Sequence, residues 1–565
     1  MFVKLTRSRG ITYAQLVESF RDEHGTPRQR TIATLGRVDE RDGQLDAVLA
    51  ALLRARGHGP RDVSTPQVRF EPALALGDVW ALHQLWHELG FATLTSVFRR
   101  AGYTTPVEHA LRAMVFNRLC DPDSKLGVLR WLETVSLPGI AGGTLSHQQL
   151  LRSMDALMDH QGAVDEAVAH LMRPLIDEEL AVAFYDLTTV RAEGLSQEDG
   201  DIRQNGLSKE GGTARQFVLA LVQTAEGLPL HHEVLPGNTA EAPTLLPTLK
   251  RVLQRYPHLR RLIVVADRGL LSLDNLDELA QLKLPGQRTL EYILAVPGRR
   301  YGEFAEVLAP LQPRMASATE EVIDEVQWQG RRLVVAHDPQ QARQQTQARQ
   351  ERIAALTKRG QQLADKLDEQ DAGVSSRGRK LTDGGARARF FHEVCDVRLS
   401  TIVKVDLQAQ HFTFSLDDDA LARAEAMDGK LALVTNVAAE DLGAAQVVQR
   451  YKSLADIERS FRVLKSDIQI APVFHRLPQR IKAHASLCFL ALILHRVMRQ
   501  RLRQAAHPGS PDAALALLRR IQRHTISING AAPIGGVSTV SPEQAAVLAA
   551  LNVKKPTAQT QLNLL

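Results

Sequence analysis

The pattern of apolar and polar residues divides the chain into segments of different secondary structure. Residues 2–37 alternate with the two-residue period of β-strands, and "EHGTP" marks a turn between two of these segments. Residues 77–90, "GDVWALHQLWHELG", instead carry apolar side chains at helical spacing and stop at Gly90. Helical patterns continue to about residue 178. The sequence therefore predicts a small N-terminal β unit followed by a helical region.

From residue 179 onwards, strands and helices alternate. "LAVAFYDL" is typical of a strand buried on both faces, and "RQFVLALVQT" with "LPLHHEVL" predicts a hairpin. A helix, the strand "LRRLIVVAD", a second helix and the strand "EYILAVP" follow. Antiparallel neighbours followed by βαβ units predict an α/β fold with a mixed sheet covered by helices.

This order breaks between residues 300 and 440. A hairpin turning near Gly330 precedes a long polar helix over about residues 339–369, which is either a short coiled-coil arm or a solvated helix on an inserted sheet. "VSSRGRKLTDGGARAR" is loop-like, and further strands end at "KLALVTNV". We interpret this region as a β-rich insertion. The predicted division is a β unit (1–60), a helical region that either binds DNA or only packs (61–178), a core in two parts (179–299 and 441–505), the insertion (300–440) and a helical tail (506–565).

Composition narrows the class of protein. The chain has 565 residues, of which 44% are hydrophobic and 24% charged, so several domains with buried cores are expected. Three scattered cysteines give no disulfide framework and no zinc pattern, which favours a cytoplasmic setting. The longest apolar run has eight residues, too few for a membrane span. A net charge of +5 permits nucleic-acid binding without establishing it.

Two of the predicted strands carry an aspartate at the end of their apolar run, Asp186 in "FYDL" and Asp267 in "VVAD". Ligand sites of α/β sheets form at the carboxyl ends of strands, so the two carboxylates come together if the strands are neighbours. Two negative charges at close range repel each other, and a cation would relieve that repulsion. Oxygen ligands favour Mg²⁺ or Mn²⁺. The alternative is that each aspartate caps the turn that follows it.

A third group of polar residues lies in "RYKSLADIERSFRVLKSD". Tyr451, Glu458 and Lys465 are spaced seven apart and would form one stripe on a helix, with Arg462 beside it. Glu458 would complete a metal site, while Arg462 and Lys465 would hold phosphate oxygens and Tyr451 a nucleotide. The alternative is an amphipathic helix with surface ion pairs. Lys209, in the loop "GLSKEGG", is a further candidate for DNA contact.

These motifs together resemble the DDE transposases of bacterial insertion sequences, in particular the insertion-sequence-four group and its long-chain subgroup. Asp186 in "YDLTT", Asp267 in "VADRG" and Glu458 in "YKSLADIERSFRVLK" correspond to the catalytic triad, in the right order. "GLPLHHEVLPGNTAEAPTLLPTL", "RLCDPDSKLGVLRWLE" and the N-terminal segment also resemble blocks of this group. Leu454 departs from the pattern, because an arginine is usual there; Arg462 or Lys452 would substitute for it.

The resemblance implies an RNase H-like core interrupted by the β-rich insertion, and a chain that acts on DNA. Two Mg²⁺ or Mn²⁺ ions would be bridged by Asp186, with Asp267 and Glu458 completing one shell each. The site would cleave the phosphodiester at a terminal inverted repeat and join the resulting 3′-OH to target DNA, in cut-and-paste transposition by a homodimer.

Three other functions fit parts of the same sequence. "DLTT" resembles the strand end of haloacid-dehalogenase phosphotransferases, but Thr188 stands where those enzymes carry a second acid, and Glu458 is left unexplained. A catalytically silent, domesticated DNA-binding protein would have lost an acid of the triad, whereas this chain retains all three. A metal-dependent nuclease would use the same site for strand cleavage alone.

Overall fold

The computed structural model describes residues 1–8, 10–38, 44–56, 67–176, 181–194, 196–197, 199–209, 211–267, 273–284, 288–373, 380–528, 530 and 532–556. The chain divides into two compact units, residues 1–73 with 524–536, and residues 74–523 with 537–565. The predicted domain boundaries near residues 60 and 178 lie outside the described residues.

The first unit is built around a three-stranded antiparallel sheet. Its strands are β1 (Phe2–Ser8), β2 (Ile11–Arg21) and β3 (Pro27–Arg37), in that order, and Gly25 has the positive φ that the β2–β3 turn requires. The strands and the turn predicted for residues 2–37 are confirmed. α1 (Gln44–Ala55) and β4 (Val68–Phe70) follow, and β4 pairs with residues 526–528.

The second unit begins with a mainly helical region, as predicted. Tryptophan and phenylalanine side chains, including those of Trp86, Phe91 and Phe116, are fully buried among its helices. Its elements are β5 (Leu74–Ala75), α2 (Gly77–Glu88), α3 (Leu94–Arg100), α4 (Val107–Cys120), α5 (Lys125–Leu132), α6 (His147–Asp159) and α7 (Gln161–Met172).

A large mixed sheet follows. Its first strands and helices are β6 (Ala181–Arg191), β7 (Gln204–Leu207), β8 (Thr213–Thr224), β9 (Pro229–Pro236), α8 (Leu245–Arg255), β10 (Leu262–Ala266), α9 (Leu273–Gln281) and β11 (Glu291–Ala295). β6, β10 and β11 are parallel neighbours, while β8 pairs antiparallel with β6 and with β9. The predicted hairpin, the βαβ units and the mixed sheet are confirmed.

The hairpin near Gly330 and the strand in "KLALVTNV", both assigned to a β-rich insertion, belong to this same sheet, which corrects the prediction. Among the described residues, two short strands, Val403–Val405 and Phe414–Leu416, pair only with each other. The next elements are α10 (Ala305–Leu308), α11 (Gln312–Ala316), β12 (Val322–Trp328), β13 (Arg331–His337), α12 (Pro339–Asp371), α13 (Asp383–Asp396), β14 (Val403–Val405), β15 (Phe414–Leu416), α14 (Asp418–Ala426) and β16 (Lys430–Thr435). The sheet order is β12-β13-β16-β11-β10-β6-β8-β7, with β9 beside β8. The hairpin β12–β13 and β16 look like a separate sheet in sequence only because a long segment intervenes.

That segment, residues 338–429, leaves the sheet after β13 and returns into the neighbouring β16. It is mainly helical and has a small hydrophobic core of its own, in which α12 packs against α13. Gly360 does not interrupt α12; it gives the Phe414 ring room to approach, since a Cβ there would lie 2.4 Å from that ring. The loop-like interpretation of the following stretch is wrong from Asp383 onwards, where the Thr382 hydroxyl caps α13. Residues 374–379 lie outside the described part.

The rest of the chain returns to helices. These elements are α15 (Ala444–Lys452), α16 (Ala455–Ser466), α17 (Pro478–Gln504), α18 (Pro511–Arg519), β17 (Gln522–Ile528), β18 (Ile534–Val537) and α19 (Pro542–Ala550). The tail predicted to be helical thus contains two strands. α17 is long and apolar enough to cross a membrane, yet 94% of its most apolar window is buried inside the fold, as in a core helix.

Candidate active site

Asp186 and Asp267 lie next to each other on the central strands of the sheet. β6 and β10 are parallel, and their last paired residues are Tyr185 and Ala266, so the next residue of each strand is an aspartate. The prediction that β6 ends at Asp186 is wrong. β6 continues to Arg191 because β8 pairs with it along this length, and Asp186 is the point where β6 extends beyond β10. The two carboxylates meet at the carboxyl end of β10, where α/β sheets bind ligands.

The Asp186 side chain is largely buried, with 16% of its surface exposed. The pKa of its carboxyl group is raised to about 6, chiefly by burial. The negative charge of Asp267 also raises this pKa, whereas Lys209 and a hydrogen bond from the Leu187 amide lower it. The amide nitrogen of Leu187 lies 2.7 Å from Asp186 Oδ1. A buried carboxylate beside a second acid is costly, so this position favours a bound cation.

Lys209 supplies a positive charge at this position. Its ammonium group lies 3.4 Å from Asp186 Oδ1 and 3.4 Å from Glu241 Oε1, and it donates a hydrogen bond of 2.5 Å to the Leu187 carbonyl oxygen. The backbone amide of Lys209 donates to Thr189 Oγ1 at 3.0 Å, which fixes the loop to β6. The structure therefore places Lys209, predicted as a DNA contact, directly against Asp186.

Asp267 is more exposed and is oriented by a tyrosine. The Tyr451 hydroxyl donates a hydrogen bond of 2.8 Å to Asp267 Oδ1. Tyr451 was predicted to contact a nucleotide, whereas in this structure its hydroxyl is hydrogen-bonded to Asp267. It lies near the end of α15, whereas Glu458 and Lys465 lie on α16. The single helical stripe predicted for these three residues is therefore interrupted, and the break falls at Ser453 and Leu454.

Glu458 projects from the exposed side of α16, and α16 packs against β6. The opposite side is buried through Ile457 and Ser460. The Ser460 hydroxyl hydrogen-bonds to the Gln223 side chain of β8 and accepts a hydrogen bond from the Arg496 guanidinium of α17. This buried polar network fixes the rotation of α16 about its axis, and that rotation turns Glu458 outwards.

Of the acids predicted to form one site, the structure brings the two aspartates together. Among the described residues, the ligand oxygens of Asp186, Asp267 and Glu458 do not all lie within 4.8 Å of one another. A metal ion held by all three would require a shift of α16 or of the Glu458 side chain.

The predicted phosphate contacts lie on the same helix. Arg462 is exposed and Lys465 half-buried. Leu454, which replaces the usual arginine, is buried at the start of α16, and Lys452 pairs with Glu321 at 2.7 Å. Of the two cations expected to substitute for that arginine, Arg462 is therefore the better placed on the exposed surface of α16.

The side chains at this site fit a divalent cation. Asp186 and Asp267 offer carboxylate oxygens of the kind that Mg²⁺ and Mn²⁺ prefer, and Tyr451 holds one of these carboxylates in place. The ammonium group of Lys209 shows that this position accepts a positive charge.

Sequence reasoning missed one acid at this site. Glu241, in "NTAEAP", contacts Lys209 from the segment between β9 and α8. It lies in a block quoted for its resemblance to transposases, but its position next to Lys209 depends on a loop geometry that residue spacing does not encode. Glu241 therefore balances part of the Lys209 charge.

Two family models match the chain. Residues 179–494, more than half of the chain, match the transposase DDE domain, and residues 3–63 match the N-terminal domain of the IS1634 family of transposases. The first match contains Asp186, Asp267 and Glu458.

The comparisons with individual proteins add less. No curated protein matches the chain. Among solved structures, the cryo-EM structure of the piggyBac transposase synaptic complex with hairpin DNA is similar, with 8% sequence identity and a TM-score of 0.37 over 78% of this chain and 75% of that one. A TM-score this low does not establish a shared fold.

Proposed function

Because the chain belongs to the DDE transposase family, with an N-terminal domain of the IS1634 type, we propose that it carries out cut-and-paste DNA transposition. It binds the terminal inverted repeats of its element, cleaves the phosphodiester at their boundary and joins the 3′-OH to target DNA. The observation that carries this proposal is the position of Asp186 beside Asp267 at the end of β10, with the Glu458 helix packed on β6.

The metal ligands in this proposal are Asp186, Asp267 and Glu458. DDE transposases use divalent metal ions. Two Mg²⁺ or Mn²⁺ ions bound here would supply an activated water and would stabilise the leaving 3′-oxygen. The pKa of Asp186 is raised to about 6, chiefly because burial disfavours the ionised carboxylate. A cation bound beside it would stabilise the ionised form.

The remaining side chains position these acids and the DNA. Tyr451 holds Asp267 through its hydroxyl, and Lys209 neutralises Asp186, a role that a bound metal ion would share. Arg462 and Lys465, on the exposed and half-buried surface of the Glu458 helix, contact phosphate oxygens of the bound strand. No covalent enzyme intermediate is required, because water and the 3′-OH are the two nucleophiles.

We further propose that the protein acts as a homodimer on DNA in the bacterial cytoplasm. The support is the reaction itself, since an element has two ends that must be cleaved and joined together. α17, the most apolar helix, is buried in the fold and is consistent with a protein that works away from the membrane.

The decisive experiment is a cleavage assay with Mg²⁺ on DNA that carries the inverted repeats flanking the element. The wild-type protein is expected to nick at the repeat boundary and Glu458→Gln to bind the ends without nicking. Asp186→Ala and Asp267→Ala should behave as Glu458→Gln does. Glu440→Gln, at an exposed acid in the loop before α15, is the matched control and should cleave normally.

Three outcomes would refute the proposal. Normal cleavage by any of the three variants would remove that residue from the triad. Specific end binding without cleavage by the wild-type protein would identify a silent DNA-binding descendant. Cleavage without strand joining would identify the protein as a metal-dependent nuclease.

A further inference from the structure

A polar pocket lies among the helices of the second unit, and neither Asp186 nor Asp267 lines it. It has a volume of about 620 Å³ and is lined by the loop before α5, the start of α6 and the segment that joins α16 to α17. Its cationic side chains are those of Arg118, Lys125, Arg476 and Arg480. One of the lining residues is an acid, Asp123, so the lining carries an excess of positive charge.

Two of these cations are buried. Arg118 is 6% and Lys125 7% exposed. The Arg118 guanidinium donates one hydrogen bond of 3.2 Å to the Gln469 carbonyl, and its Nε atom has no partner among the described residues. Within that part of the chain, the Lys125 ammonium has no hydrogen bond or ion pair. A buried cation without a counter-charge destabilises a fold by several kcal/mol, so a missing anionic partner is the natural explanation.

The acids near the pocket bond to other groups, although the charge of Asp123 also acts on Arg118. Asp123 accepts a hydrogen bond of 2.6 Å from the Ser124 amide and one of 3.3 Å from Arg130 on the outside of α5. Asp155 forms a two-pronged ion pair with Arg480, with both N–O distances at 2.9 Å. Neither acid is within reach of the Lys125 ammonium as a salt-bridge partner.

The other ionisable groups around Lys125 provide no negative charge either. Burial, followed by the charge of Arg118, lowers the pKa of Lys125 to about 7. Burial raises the pKa of the neighbouring Cys488 thiol to about 11, which keeps it neutral and unable to serve as a counter-charge. His484 donates to the Ile470 carbonyl through Nε2, and burial lowers its pKa, so this imidazole is neutral and supplies no charge of either sign.

Helix ends add to the positive potential. Lys125 is the first residue of α5, His147 the first of α6, and Leu477 precedes α17; all three line the pocket. The amino end of a helix carries a partial positive charge and free amide groups, and it binds phosphate readily. The Ser124 and Ser146 hydroxyls cap α5 and α6, so these helix ends add partial positive charge to a cavity whose full charges come from Lys125 and Arg118.

We propose that this pocket binds a phosphate group through Lys125 and Arg118, and that in the working protein the phosphate belongs to the backbone of the bound DNA strand. The second part rests on the proposed function. The pocket adjoins the active-site strand, because Val473 of its lining bonds to Arg191 and Glu193 at and after the end of β6. Arg191 lies five residues after Asp186 on β6, about 17 Å along the strand, or roughly five base pairs along B-form DNA.

Lys125→Met is the variant that tests the anion site. It removes the charge and keeps an unbranched chain, so without phosphate its melting temperature should be equal to or above that of the wild type. Inorganic phosphate should raise the melting temperature of the wild type and should have little effect on Lys125→Met. Lys125→Gln serves as a second neutral variant if the first does not fold, and Lys366→Met, at an exposed lysine of α12, is the matched control.

The DNA arm uses the same proteins with inverted-repeat DNA at several salt concentrations. Loss of the lysine should weaken binding by about tenfold or more and should flatten the salt dependence by about 0.9 in the log–log slope, one phosphate contact. The control should keep the wild-type slope.

The possible results separate the two claims. A phosphate effect that requires Lys125, with an unchanged DNA slope, would mean that the pocket holds a free anion and would overturn its assignment to DNA. No phosphate effect and no change in slope would overturn the proposal that the pocket binds an anion. Cleavage by the wild type in the same experiment would still support the proposed transposase function. Absence of specific end binding by the wild type would refute the proposed function, and the phosphate arm would still test the anion site.

Discussion

Replacing Asp186 by asparagine should stabilise the metal-free protein at neutral pH while it abolishes cleavage. The carboxyl group is buried, and its pKa rises from 3.8 to about 6 in the folded chain. For an acid whose folded-state pKa is raised, the protonated form fits the fold better than the charged form. The stability that the protonated Asp186 carboxyl group contributes is therefore complete below pH 3.8, and it is lost as the pH rises to 6 and the group ionises. Asparagine is neutral throughout and does not suffer this loss.

The shift of about 2 pKa units corresponds to about 3 kcal/mol above pH 6, and to about half of that near pH 5. The pKa of about 6 already includes the opposing effect of Lys209, whose charge lowers it, so the loss of that ion pair in the variant is not a further cost. The balance favours the variant by about 3 kcal/mol at pH 8. Added Mg²⁺ should then stabilise the wild type and leave Asp186→Asn unchanged.

Urea unfolding at pH 5, 6 and 8, first with a chelator and then with Mg²⁺, measures this difference. Asp368→Asn, at an exposed acid of α12, is the control and should show no pH-dependent gain. An Asp186→Asn protein that is less stable than the wild type at pH 8 without metal would refute the reasoning, since the carboxylate would then be a stabilising charge. Equal stabilisation of both proteins by Mg²⁺ would place the metal elsewhere.

Three further changes test separate contacts. Tyr451→Phe removes the hydrogen bond to Asp267 and should raise the Mg²⁺ concentration needed for cleavage by about tenfold or more, with end binding unchanged; an unaltered Mg²⁺ requirement would show that the tyrosine does not position that acid. Lys465→Ala should reduce the salt dependence of end binding by about one phosphate contact, and an unchanged slope would make this lysine structural. Gly360→Ala should destabilise the α12 core by about 1–3 kcal/mol in urea unfolding, because its Cβ would meet the Phe414 ring, and the added change Phe414→Leu should restore part of the loss.

Local patterns predicted the elements well, and pairing between distant segments was harder. The strands of residues 2–37, the hairpin β8–β9 and the helix α12 follow from periodicity alone, because each is defined by residues that are close in sequence. The membership of β13 and β16 in the main sheet depends on contacts across more than ninety residues, about which periodicity is silent. The same limit explains why β17 was not predicted, because its partner β4 lies near the other end of the chain.

The site was predictable in part for a comparable reason. Asp186 and Asp267 each follow a run of apolar strand residues, and a parallel pairing of the two strands is enough to bring them together. The break between α15 and α16 was not predictable, since Ser453 and Leu454 are ordinary helix residues and tertiary packing ends the first helix. Lys125 was visible only as one residue of a resembling block. Its burial depends on α6 and α17, which lie elsewhere in the sequence.

The connection between β13 and β16 has a consequence for how this fold can be altered. The two strands are adjacent and antiparallel, with His337 paired to Lys430, and the Asp338 amide donates to the Gly429 carbonyl across the gap. The 92 residues from 338 to 429 therefore begin and end where a β-hairpin would need only a two-residue turn. Such a module, with a hydrophobic core of its own, can be shortened, exchanged or removed while the strand order around Asp186 stays the same. The sheet thus allows this arm of the protein to evolve independently of the chemistry.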